Sequence, residues 1–156
     1  MVTIEQAYRA VNWTTVILVG AMIPLSLAMQ VTGAAEQIAQ ALVEVVGGAS
    51  PYMLLLGIFL LTAAFGQLIS NTATALIIIP IATSAAAELG VSVRPVLMCV
   101  AVAAVAAYLT PVATPVNLMV MAPGGYRFGD YWKLGLPLLG LSGVVAVFLV
   151  PVFWRF

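Results

Sequence analysis

The chain has no histidine, one cysteine, and only five basic and five acidic residues in a length of 156. Without histidine, the commonest metal ligand and the usual base near neutral pH are missing. A lone cysteine, Cys99, excludes an internal disulfide and a cysteine metal cluster. Its place inside an apolar run reads as a small apolar helix residue. A net charge of zero offers no footprint for a nucleic-acid partner. Charged residues make up 6% of the chain, against about 25% in a soluble domain, too few to cover a water-facing surface. No nucleophile–base pair and no phosphate-type Gly-rich loop is present. The chain therefore reads as a non-enzyme, with no catalytic residue and no cofactor.

What the sequence does have is apolar length. The residues AVILMFWYC are 64% of the total. No charge occurs in 10–35, 45–87, 95–126 or 134–154. A bilayer-spanning helix needs about 20 apolar residues, so each run is long enough and the second holds two limbs. Residues 1–10 carry Glu5 and Arg9 instead of a basic n-region, so 12–31 reads as a membrane helix, not a signal peptide. Trp13 marks its entrance and Thr32-Gly33 its exit. Along 34–46, Ile38, Leu42 and Val45 share one helical face while Glu36, Gln40 and Glu44 recur every four residues. That pattern predicts an interfacial amphipathic helix. Gly47-Gly48 ends it, and Ser50-Pro51 opens the next helix.

Residues 52–88 are apolar except for a central knot: Gln67, Ser70, Asn71, Thr72 and Thr74. The stretch is either two spanning helices joined by a turn or a re-entrant hairpin with its tip inside the membrane. After a polar turn around Gly90, a helix is expected from Pro95 to about Leu109. Thr110-Pro111-Val112-Ala113-Thr114-Pro115-Val116-Asn117 then breaks it, because two prolines four apart remove two backbone donors. Arg127, Asp130 and Lys133 are expected in a polar loop, and 134–154 forms the last span. The aromatic cluster 126–132 reads as an interfacial anchor; Gly57, Gly66 and Gly140 read as close-packing residues. Gln67 is read equally as packing or function. Arg9, Arg127 and Lys133 fall on one side and Arg94 and Arg155 on the other, which places the amino terminus in the cytoplasm. Two portions are expected within one membrane domain: 1–50, with the first spanning helix and the interfacial helix, and 51–156, with the hairpin, the broken helix and the last spanning helix.

The two polar interruptions carry the chemistry. Non-helical backbone in hydrocarbon leaves unpaired N–H and C=O groups at several kcal/mol each. Transporters keep such breaks as binding sites near the midplane. Ser70, Asn71 and Thr72 are helix-capping residues, and a helix starting there aims its positive end inward, toward an anion. Thr114-Pro115 repeats the logic. The carbonyls before each break could ligate a cation. No Asp, Glu or His lies in any apolar run, which disfavours a proton relay. The available oxygens are hydroxyls, an amide and carbonyls, which suit sodium.

Ser70-Asn71-Thr72-Ala73-Thr74, Ala113-Thr114-Pro115-Val116-Asn117 and Gly124-Gly125-Tyr126 together resemble the divalent anion–sodium symporter family, whose members carry dicarboxylates, citrate or sulfate. The resemblance covers essentially the whole chain. It implies an all-α membrane fold of two inverted repeats, each with spanning helices, a re-entrant hairpin tipped by Ser-Asn-Thr and a broken helix. This chain resembles the carboxy-terminal repeat only. The resemblance puts sodium near Gly66, Ile69, Asn71 and Ala113. It puts the anion against Ser70, Asn71, Thr72, Thr114, Pro115 and Asn117. It implies an elevator-type symporter in the lipid bilayer of a bacterial inner membrane. The missing first repeat, or another copy of the chain in an oligomer, would complete the site. A sodium–proton or arsenite antiporter, and an assembly subunit or fragment without transport of its own, are the competing readings.

Overall fold

The computed structural model describes residues 24, 28, 31–46, 50–68 and 70–156. The expected first span, 12–31, and the tip residue Ile69 therefore lie outside the described residues, Pro24, Ala28 and Val31 excepted. Among the described residues every regular element is helical.

Helix α1, Ala34–Val46, follows Gly33, whose φ of 74° lies in the left-handed region that favours glycine. The helix is amphipathic and lies against the helices that follow it. Among its described side chains Ala34, Leu42 and Val43 are half-buried, whereas Val45 is 86% exposed. The inward stripe is thus displaced from the predicted Ile38–Leu42–Val45 face. Helix α2, Pro51–Gly66, begins as the sequence predicts, with Pro51 in the first turn and the Ser50 hydroxyl accepting from Tyr52 N–H at 3.3 Å. After the turn at Gln67 and Leu68, helix α3 runs over Asn71–Glu88, capped by Ser70, whose hydroxyl accepts from Ala73 N–H at 3.4 Å. Neither helix has a polar face of its own, as expected for helices surrounded by protein or lipid. Helix α3 stops at a Schellman motif: Val91 N–H reaches Ala86 O at 3.0 Å, Gly90 N–H reaches Ala87 O at 3.1 Å, and Gly90 has φ 64°.

Helix α4, Val93–Ala104, returns along α2 and α3. Leu54, Leu55 and Ile58 of α2, Ile78, Ala82 and Ala85 of α3, and Val96, Cys99 and Val100 of α4 make the core. The small residues let the backbones approach closely, the usual means of helix association where the hydrophobic effect is absent. Cys99 is buried at this contact, its Sγ 3.4 Å from Leu55 O. After α4 the chain is unwound over 105–114 and re-enters helix at α5, Pro115–Met121. The break is where the two prolines put it, but it opens at Val105, before the predicted limit near Leu109.

The last helical stretch begins with a 3₁₀ turn at Phe128–Asp130 and continues as α6, Tyr131–Val144, a π-helical turn, Val145–Leu149, and α7, Val150–Phe153. Lys133 therefore sits in the first helical turn and not in a loop. There it pairs with Asp130 at 3.0 Å, while Asp130 also accepts from Arg127 N–H at 2.9 Å. The π turn lies just ahead of Pro151, which lacks an N–H for the preceding turn. Among the described residues this stretch, Phe128–Phe153, is the one helix long and apolar enough to cross a membrane, with mean hydropathy 2.4.

Gly135 and Gly143 are the glycines at which this helix meets the rest of the protein. A Cβ on Gly135 would lie 2.5 Å from Tyr108 O, and one on Gly143 would lie 3.1 Å from the Phe59 ring. Gly140, expected at a close contact, faces open space. Gly135→Ala is expected to destabilise the protein by about 1–3 kcal/mol, because a backbone carbonyl cannot yield as a side chain can. Gly140→Ala is expected to be neutral or slightly stabilising. Thermal unfolding of both variants in detergent, compared with the parent, checks the difference.

Candidate functional site

The α2–α3 turn and the unwound segment lie against each other, and one side chain joins them. Gln67, the residue that ends α2, donates from Nε2 to Ala63 O of its own helix at 3.1 Å and to Ala106 O at 3.2 Å. Its Oε1 accepts from Leu109 N–H at 3.0 Å. A second amide supports the same segment from the other side. Asn117 of α5 donates from Nδ2 to Ala107 O at 2.9 Å and to Thr110 O at 3.0 Å. Four backbone groups that left the α4 ladder are thus satisfied by side chains. This accounts for the early opening of the helix: Leu109 N–H, which would otherwise bond to Val105 O, is bound to Gln67.

Thr114 caps α5, its hydroxyl accepting from Asn117 N–H at 3.2 Å. Tyr131 donates its hydroxyl to Asn117 O at 2.6 Å and meets the Tyr126 ring edge-on. Tyr131 therefore turns inward from the aromatic cluster that the sequence assigns to the interface, while Tyr126, Phe128 and Trp132 are exposed. A cavity of about 270 Å³ lies beneath, lined by Tyr108, Asn117, Tyr126, Asp130, Tyr131 and Leu134 among others.

Three side-chain oxygens in the described residues are buried without a hydrogen-bond partner: Asn71 Oδ1, Thr74 Oγ1 and Thr110 Oγ1. All belong to the first turn of α3 or to the unwound segment. None lines the cavity just described. The contrast with other threonines is informative. Thr62 is fully buried and returns its hydroxyl to Ile58 O at 2.6 Å, and Thr83 does the same to Pro80 O at 2.9 Å. Thr74 is equally buried, yet its hydroxyl makes no bond. Leaving a buried polar group unmade costs about 1–3 kcal/mol. Asn71 and Thr74 are three apart on one helix and so lie on the same face.

The other sequence-predicted residues fall as follows. Ser70 and Thr72 are exposed at the start of α3. Ser70 spends a lone pair on capping, which leaves its O–H as a donor. Gly66 is buried at the end of α2, where a Cβ would be 3.7 Å from Ala104 O, and Ala113 is buried within the unwound segment. Asn117 is committed to the loop carbonyls through both amide hydrogens. Pro115 holds the first position of α5. Among the described residues no three His, Cys, Asp or Glu side chains cluster as metal ligands. The surroundings of Gln67, Thr74 and Thr110 are what the sequence did not foretell. A polar side chain at the centre of an apolar run was the available signal, but its partners lie 39 and 42 positions away.

Asn117→Leu removes both donors and leaves the Ala107 and Thr110 carbonyls unpaired. An expected loss of about 1–3 kcal/mol per stranded group should appear as a lower unfolding temperature in detergent, with cleavage by added protease concentrated in 105–114.

The family model for the citrate transporter, CitMHS, matches residues 1–156. The transporter YfbS of Escherichia coli K12 is 43% identical over 152 residues, 97% of this chain and 25% of the relative. The sodium-dependent dicarboxylate transporter SdcS of Staphylococcus saprophyticus is 34% identical over 145 residues, 89% of this chain and 27% of the relative. Sodium/sulfate cotransporter 1 of Chlamydomonas reinhardtii is 28% identical over 147 residues, 94% of this chain and 17% of the relative. The chain thus spans about a quarter or less of the length of these curated relatives. The resemblance to divalent anion–sodium symporters that its motifs carry is borne out, and the chain belongs to the CitMHS citrate transporter family of membrane transport proteins.

Proposed function

We propose that the chain forms part of a secondary transporter that couples sodium to uptake of a small divalent anion, a dicarboxylate or sulfate. The observation that carries this reading is three orphaned oxygens: Asn71 Oδ1 and Thr74 Oγ1 in the first turn of α3, and Thr110 Oγ1 in the unwound segment that Gln67 ties to that turn. Neutral oxygens lacking a donor form a place for a hard monovalent cation, whose charge replaces the missing hydrogen bonds. Carbonyls near Gly66, Ile69 and Ala113 would complete its shell.

The anion belongs next to the cation. The positive end of α3 and the exposed Ser70 and Thr72 hydroxyls offer donors. The bound sodium supplies the remaining attraction, so no arginine is required in the apolar runs. The names of the sodium-dependent dicarboxylate and sodium/sulfate relatives point to the same substrate class. Helix α2 has 16 residues, about 24 Å at 1.5 Å per residue, short of a hydrocarbon core of about 30 Å. That length favours a re-entrant hairpin over two spanning helices. With the unwound segment tied to its tip, the pair would move as one body in an elevator-type cycle. Transport by the assembled protein would need a first repeat or another copy of this chain.

Uptake into membrane vesicles is expected to fall to background when sodium is replaced by choline. Asn71→Ala is expected to reduce sodium-driven uptake at least tenfold, about 1.4 kcal/mol of lost cation binding. Uptake that persisted unchanged in choline, or that followed a pH gradient without sodium, would overturn the reading in favour of an antiporter.

A further inference from the structure

We propose that Gln67 is a positioning residue. It holds the unwound segment in its site-forming shape before a cation arrives, and it fastens that segment to the α2–α3 turn. The inference rests on the transport reading above, but it has a readout of its own.

The Gln67 side chain is fixed at both ends. Its bond to Ala63 O, one turn back, anchors it to α2, and its bonds to Ala106 O and Leu109 N–H anchor the loop to it. Its orientation is determined, because the reversed amide would set oxygen against two carbonyls and nitrogen against an N–H. Asn117 also holds the loop, but it rides on α5, immediately downstream. It can tie the segment only to its own continuation. Among the amide contacts described, Gln67 alone joins the segment to the turn that bears Ser70 and Asn71. A cation that had to order the segment itself would lose affinity in proportion to how rarely the competent shape occurs. With the amide in place that ordering has already happened.

Gln67→Met keeps the bulk and deletes the three bonds. The sodium concentration for half-maximal uptake is expected to rise about tenfold, while the maximal rate at saturating sodium is largely retained. A purely structural role would lower the amount of folded protein and leave that sodium concentration unmoved. Gln67→Glu separates the two further. A protonated carboxyl can donate to Ala106 O and accept from Leu109 N–H; an ionised one can only accept. This variant is expected to resemble the parent at low pH and Gln67→Met at high pH, a slope the parent lacks. No Asp, Glu, Lys, Arg or His lies in 45–87 or 95–126 to supply a competing titration. The other titratable or charged groups of the packed elements are Glu36 and Glu44 of α1; Tyr52, Cys99, Tyr108 and Tyr126; Glu88 and Arg94, at the far ends of α3 and α4; Arg127, Asp130, Tyr131 and Lys133 around the start of the last helix; and Arg155 beyond its end.

The readout independent of transport is alkylation of a cysteine placed at Val112, which is 62% exposed on the unwound segment. With Gln67 intact, the rate with a water-soluble maleimide is expected to be the same in sodium and in choline. With Gln67→Met it is expected to rise in choline and to fall again in sodium. Equal alkylation of the parent and Gln67→Met in choline would overturn the role of Gln67, whatever the transport result. So would a Gln67→Glu protein whose sodium dependence has the parent's pH profile. A parent that took up no substrate with sodium, yet showed the alkylation contrast in choline, would sink the transport reading alone.

Discussion

The structure turns on one requirement: backbone N–H and C=O groups released from a helix inside an apolar protein must find other partners. Ten residues, 105–114, leave the α4 ladder in the middle of a run without a charged side chain. Lipid offers no partners there. The partners are supplied by Gln67 and Asn117, each serving two groups of the segment. The close approach of Gly135 to Tyr108 and the Tyr131 hydroxyl on Asn117 O hold the remaining side. The break is therefore a built feature, braced on three sides.

That bracing divides the polar groups into two kinds. Those that shape the site are bonded: Gln67, Asn117, Tyr131 and the capping hydroxyls of Ser70 and Thr114. Those left with unused lone pairs are Asn71, Thr74 and Thr110. Each of these oxygens, two in the first turn of α3 and one in the unwound segment, is buried at a cost in free energy. Charged side chains are costly inside a membrane, whereas hydroxyls and amides need only be held in place.

Several helix boundaries follow local chemistry and are legible residue by residue. Ser50-Pro51, Ser70, Gly90 and Thr114-Pro115 start or stop helices because capping, fixed φ and left-handed φ are properties of single residues and their immediate neighbours. The misreadings have a common cause. The end of α4 at Ala104, the outward Val45, the open space at Gly140 and the inward Tyr131 all depend on what packs opposite.

The sequence alone determined that this chain is helical and apolar, where its two polar interruptions fall, and which family it joins. Each of these is written in composition, spacing or a short motif. Only the tertiary structure decided which polar atoms brace the break and which are left over. Gln67 and the loop it holds are separated by some forty residues, and hydrogen bonding depends on distance in space, which a linear order does not contain.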